Sequence, residues 1–175
     1  TEEVERLNES FKTMDTRSSR EQLNKLAQEA GKLGIASQQA VIEYVEAADV
    51  INVALDELGE GATRDIGKLS SIYGDAERMG LGKAMLAVGA AINEVSQNST
   101  ASASYLVDFE NRMAGVGKQA DMSIPKIMGY ASVLDQNAQQ VEMSATALQG
   151  IIMKMYQDPG KLARIAGINV KEFTR

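Results

Sequence analysis

The sequence predicts an all-α fold, a multi-helix bundle or array of about eight helices joined by short Gly/Ser-capped turns. Three observations predict it. Apolar residues recur at spacings of three and four through most of the 175 residues, the period of a helix with one buried face. The apolar 44% is built from Ala, Leu, Ile, Val and nine Met, with three Phe and five Tyr, and such small aliphatic side chains let helices approach closely. Two Pro and a shortage of alternating β-branched runs argue against a β fold.

The elements follow in order. Residues 1–14 form a polar helix with a thin stripe of Val4, Leu7, Phe11 and Met14. It either packs on the core or continues an upstream helix. Residues 15–19 are a break, and Ser18 with Glu21 has capping-box spacing. A helix then runs from Arg20 to Lys32, with Leu23, Leu26, Ala27 and Ala30 inward, stopped by Gly31 and Gly34. Ser37 caps a longer helix to Leu58, striped by Tyr44, Ala48, Ile51, Leu55 and Leu58, and Gly59-Glu60-Gly61 ends it. Ala62 or Thr63 opens the next, through Ile66, Leu69 and Tyr73, ending near Gly74 or Gly80. Leu81, Met85, Val88, Ile92 and Val95 make another stripe, followed by a small polar turn at residues 97–102. Leu106, Phe109, Met113 and Val116 mark a helix closed around residues 117–121. Ser123 caps a helix with Pro125 in its first turn and Ile124, Ile127, Ala131 and Leu134 inward. Ala138, Val141, Ala145, Leu148, Ile152 and Met155 form the cleanest stripe. Asp158-Pro159-Gly160 breaks it, and Leu162 to Ile165 form a short last helix before Gly167.

Composition narrows the function. The chain lacks His, Cys and Trp, so imidazole acid–base catalysis, thiol nucleophiles and His/Cys zinc sites are excluded. A net charge of −6 disfavours a dedicated nucleic-acid binder, which needs clustered Lys and Arg. The longest nearly apolar run, from Ala84 to Ile92, is too short for a bilayer span. The chain starts at Thr1 without Met and ends at Arg175 just after a new segment begins, so a piece of a longer protein is expected.

The remaining candidates are few. Glu43, Glu46 and Asp49 step by three along one helix and could bind a hard cation or act as a glycosidase pair, but a solvated helix face explains them better. Gly80-Leu81-Gly82-Lys83 hints at a phosphate loop, yet Glu77 stands where the first Gly should be and Ala84 where Ser or Thr should hold magnesium. Gly115-Val116-Gly117-Lys118 fails in the same way, and both read as helix punctuation. Asn98-Ser99-Thr100 matches a glycosylation triplet but reads better as a turn and helix cap. Among the Met residues, Met113 and Met155 sit on inward stripes. Met143 and Met153 fall off them and are the candidate partner surface. No catalytic, cofactor or metal residue is predicted.

Leu23-Asn24-Lys25-Leu26-Ala27-Gln28-Glu29-Ala30-Gly31-Lys32-Leu33-Gly34-Ile35-Ala36-Ser37 resembles the opening of the core region of phage tail tape measure proteins (the phage minor tail protein family). Tyr44-Val45-Glu46-Ala47-Ala48-Asp49, followed by Ile51-Asn52-Val53-Ala54-Leu55, resembles its continuation. Later, Leu134 is followed by Ser144-Ala145-Thr146-Ala147-Leu148, where the family has Ala-Gly-Thr-x-Leu, so the family Gly is Ala145 here. The Gly usual in the preceding turn is Ala138, and that turn is therefore expected to be helical. Gly167-Ile168-Asn169-Val170 resembles the next segment. The likeness runs over about residues 21 to 172, carried by order and spacing rather than by one motif.

The resemblance implies a non-enzymatic structural module of a phage or prophage tail tape measure protein, without cofactors, acting in tail assembly and tail-length determination. It implies tail tube and tail assembly or chaperone proteins as partners, self-association as a further option, and the tail tube interior or host cytoplasm as location. The expected organisation is a polar helical flank at residues 1–19 and a helical domain at 20–175. The rival readings are a generic helical interaction module and a carboxylate-based cell-wall hydrolase.

Overall fold

A computed structural model describes residues 2–59, 61–167 and 169. Glu60, Ile168 and residues 170–175 lie outside the described residues, as do the side chains of Val4 and Leu162 from the predicted stripes. The described residues form ten helices and no strand: α1 (Glu2–Thr13), α2 (Arg20–Lys32), α3 (Gln38–Ala54), α4 (Ala62–Ile72), α5 (Asp75–Met79), α6 (Leu81–Asn98), α7 (Ala103–Gln119), α8 (Ile124–Gln136), α9 (Val141–Gln157) and α10 (Pro159–Ala166).

Local chemistry sets most boundaries. The capping box of α2 is Ser19 with Gln22, one residue later than expected. Ser18 is held in the loop instead, its N–H donating to Thr16 Oγ1 at 2.9 Å. Ser37, Ser102 and Asp158 accept hydrogen bonds at the starts of α3, α7 and α10, satisfying orphan N–H groups. Ser123 has extended N-cap backbone before α8, but its side chain makes no capping bond. α3 ends at Ala54, not Leu58. Leu55 and Leu58 still pack on the core from the turn, so the apolar period outlasts the helix. Gly74, with φ 79°, separates α4 from the short α5, so of the two expected ends, Gly74 and Gly80, the first closes α4.

The turn before α9 is not helical, contrary to expectation. Ala138 takes φ 55°. Its N–H donates to Asp135 O at 2.7 Å, and the Gln139 N–H donates to Leu134 O at 3.2 Å. This paired closure of a helix C-terminus places one left-handed residue where glycine is usual. Ala138 is therefore exposed in the turn and not on the inward stripe. Left-handed backbone costs a residue with a Cβ roughly 1–2 kcal/mol. Ala138→Gly is expected to raise the unfolding free energy by about 1 kcal/mol, measured from the urea midpoint at unchanged slope. An unchanged or lower midpoint would show that the alanine is not strained.

The core is continuous from α1 to α9. Tyr44, Ile66, Leu69, Met85, Ile92, Phe109 and Ile127 are fully enclosed. Phe11 brings α1 into this core, with Leu7 and Met14 packed beside it. α3 and α6 cross closely at two glycines seven residues apart, hence on one helix face. A Cβ on Gly82 would lie 3.0 Å from the Glu43 carbonyl oxygen, and one on Gly89 would lie 2.8 Å from Ile51 Cγ1. α7 is the shared element of the second half, packing on α4, α6, α8 and α9. Its start is braced by Glu57, which accepts from the Ala103 N–H at 2.9 Å. α9 is held differently. It buries only Ser144, Ala145 and Ile152. Polar ties to α7 supplement this: Arg112 pairs with Glu142 at 3.0 Å, and Gln149 donates to Arg112 O.

Candidate functional site

The carboxylates singled out on α3 do not converge. Glu43 accepts from Gln39 at 3.1 Å, Glu46 is exposed, and Asp49 is buried at 4% exposure. Asp49 Oδ2 accepts from Thr16 Oγ1 at 2.5 Å, which pins the loop after α1. The solvated-face reading thus fails at Asp49, because that loop covers it. Among the described residues no group of three or more acidic side chains could hold a metal ion.

The glycine–lysine pairs are packing points. Gly80 starts α6 and Gly82 meets α3, as described, while Lys83 is exposed. Gly117 lies against Tyr73 and Ile127, and Lys118 donates to Tyr73 O at 3.0 Å, closing the end of α4. Asn98 Nδ2 donates to Glu94 O at 2.8 Å, and Thr100 Oγ1 donates to Asp135 at 2.8 Å. That triplet joins the end of α6 to α8.

One buried charge-bearing group was missed from sequence. Glu110 has no exposed surface, and neither carboxylate oxygen completes a hydrogen bond among the described residues. Burial pushes its pKa from 4.5 up to about 9, offset only in part by the Met128 backbone N–H. Tyr73 is raised too, by burial first and then by Glu110, and its hydroxyl is also unpartnered. The signal was present: Leu106, Glu110, Met113 and Gly117 are spaced four, three and four, on the inward stripe of α7. Nothing at this position is open to a substrate. It is a neutral carboxylic acid in a core.

The surface carries its largest apolar exposure on the last helices. Met143 is 63% exposed and Met153 is 38% exposed, both on α9. Ten residues apart, they point about 80° from each other around the helix. Met155, expected inward, is 38% exposed and instead lines a groove of about 770 Å³ between α8 and α9. Lys126 and Tyr130 form its α8 wall; Leu148, Ile151, Met155 and Tyr156 form its α9 wall. Among the described residues no carboxylate lines it. The groove's lining can bury apolar groups.

No curated protein and no solved structure matches the chain. The family model described as phage-related minor tail protein matches residues 1–174. The chain, all-helical among its described residues, belongs to the phage-related minor tail protein family.

Proposed function

We propose that this phage tail protein is a module of a tail tape measure protein, acting in tail assembly and tail-length determination through helix-mediated contacts. The family match over residues 1–174 carries the reading. The order and spacing of the segments between residues 21 and 172 support the tape measure in particular. In this reading the protein works in the host cytoplasm during assembly and then inside the tail tube. Its partners are tube and assembly or chaperone proteins, and Met143 and Met153 belong to the surface they meet. No helix among the described residues is long and apolar enough to cross a membrane.

A ruler maps chain length onto tail length at about 1.5 Å per helical residue. The ten helices among the described residues, folded on one core, are a poor ruler, so the proposed role is assembly contact by a conditionally folded module. Helices that give up internal packing for partner packing need only modest stability. An unfolding midpoint above about 90 °C would contradict this.

The test is in-frame removal of the matched residues from the phage gene, read by electron microscopy of tails. Loss of assembled tails is expected. Tails shortened by about 1.5 Å per deleted residue would make the segment ruler instead. Tails of normal number and length would overturn the reading.

A further inference from the structure

We infer that α1 and the loop at residues 14–19 form a strap that opens as one unit while the rest of the fold stays closed, with Phe11 favouring closure and the buried Asp49 carboxylate opposing it. This adds a conformational device to the fold and does not depend on the tail reading.

The helix of the strap depends on its docking. α1 packs chiefly on α3. Its ion pairs, Arg6 with Glu2 and Lys12 with Glu9, stay within the helix. The Ser10 and Thr13 hydroxyls likewise donate to Arg6 O at 3.1 Å and Ser10 O at 3.0 Å. Such pairs support a helix without fixing it to a neighbour. The apolar part of the docking is Phe11, 5% exposed, with Leu7 and Met14 partly buried beside it. An isolated helix shorter than about 12–15 residues is marginal in water. The 12 residues of α1 therefore hold their helix by being docked, and undocking and melting go together.

The loop is fastened through one hydroxyl. Thr16 Oγ1 donates to Asp49 Oδ2 at 2.5 Å and accepts from the Ser18 N–H at 2.9 Å, so it joins the shape of the loop to its anchor on α3. That anchor is under strain of another kind. Asp49 is 4% exposed, and its second oxygen, Oδ1, has no hydrogen-bond partner among the described residues. A buried carboxylate with one oxygen unmet carries a desolvation cost that water relieves. Closing the strap covers Asp49, and opening returns it to water. Burial of Phe11 works for closure, Asp49 works against it, and the Thr16 bond decides between them. The fold behind the strap is secured by other contacts: the α3–α6 crossing at Gly82 and Gly89, and α7 against α4, α6, α8 and α9. None of these involves α1, so opening the strap leaves them in place.

The experiment is amide hydrogen exchange of the whole chain, read by mass spectrometry across sub-denaturing urea. Amides of α1 are expected to exchange through an opening whose urea slope is less than about half that of α7 amides, because the slope scales with the surface exposed. Thr16→Val removes only the hydroxyl, and Phe11→Ala removes the apolar anchor. Each should speed α1 exchange about tenfold or more while α7 exchange stays within about twofold. Equal urea slopes for α1 and α7 in the unsubstituted protein would overturn the inference, and that result needs no variant to fold. So would α1 amides exchanging at the unprotected rate, since no closed strap would then exist. Thr16→Val exchanging in α1 as before would remove the Asp49 fastening and overturn it too. Equal acceleration of α1 and α7 in either variant would show one cooperative unit and have the same force. None of these failures touches the tail reading, which is read from assembly in the phage.

Discussion

Glu110→Gln is expected to stabilise the protein by about 2 kcal/mol at pH 7 and to flatten its stability between pH 4.5 and 9. The carboxyl is fully enclosed and its folded pKa is about 9 against an ordinary 4.5. Between those values the folded state keeps the proton and the unfolded chain has lost it. The folded state therefore binds more protons, and stability falls as pH rises, by about 1.4 kcal/mol per unit for this group. Below pH 4.5 both states are protonated and the penalty vanishes. Above pH 9 both are ionised and the penalty is at its full size. At pH 7 the cost is roughly 3 kcal/mol, of which the amide recovers most because it has no charge to lose. It loses some through its own buried N–H groups. Urea unfolding of both proteins at pH 5, 7 and 9 checks this. Equal slopes against pH would show that Glu110 is solvated or paired in solution. For a module proposed to fold conditionally, a buried unpaired carboxyl lowers the work of opening at neutral pH.

Gly117→Ala is expected to destabilise by about 1–2 kcal/mol, while Gly115→Ala two residues earlier stabilises by about 0.5–1 kcal/mol. Both lie in α7. A Cβ at Gly117 would stand 2.5 Å from both Ile127 Cδ1 and the Tyr73 hydroxyl. Ile127 is fully enclosed and Tyr73, the C-cap of α4, is half-buried, so both side chains must shift to admit the methyl. Overpacking costs about 1–3 kcal/mol, against which the better helix propensity of alanine returns up to about 1. At Gly115 nothing lies within 4 Å, and only the propensity gain remains. Opposite signs in one helix would separate contact from propensity. Two changes of the same sign would mean the close approach of α7 to α4 and α8 relaxes at little cost.

The helices were legible because each carries an apolar stripe and most carry a Ser, Gly or Asp boundary. α2, α4, α6 and α8 lie within a few residues of their expected places for that reason. What escaped depends on tertiary packing. Gly82 and Gly117 look like punctuation in sequence, but they, like Gly89, are where a neighbouring helix comes closest. Glu110 interrupts an apolar face and Asp49 reads as part of a solvated one, since charge normally marks the solvent side. One is enclosed by neighbouring helices and the other is covered by the loop at Thr16. The stripe on α9 was clear, yet periodicity says only that a face is apolar and not what covers it. Half of that stripe proved to be a groove wall. The candidate surface at Met143 and Met153 was inferred from their absence from the stripe, and their contacts are left to the proposal.

The sparse seating of α9 has a mechanical consequence. Tension applied along a chain is borne by whichever seam has the fewest contacts in parallel. Among the described residues, three buried side chains, the partly buried Val141 and Leu148, and two polar ties to α7 hold the seventeen residues of α9. Under a pull from the C-terminal side, α10 and α9 should peel away first, lengthening the chain by about 3.5 Å per residue freed. The interlocked α3–α6 crossing, gripped at two glycines, should yield only at higher force. A molecule that must be drawn through a narrow passage would then surrender its fold in steps, helix by helix, without requiring the whole core to rupture at once.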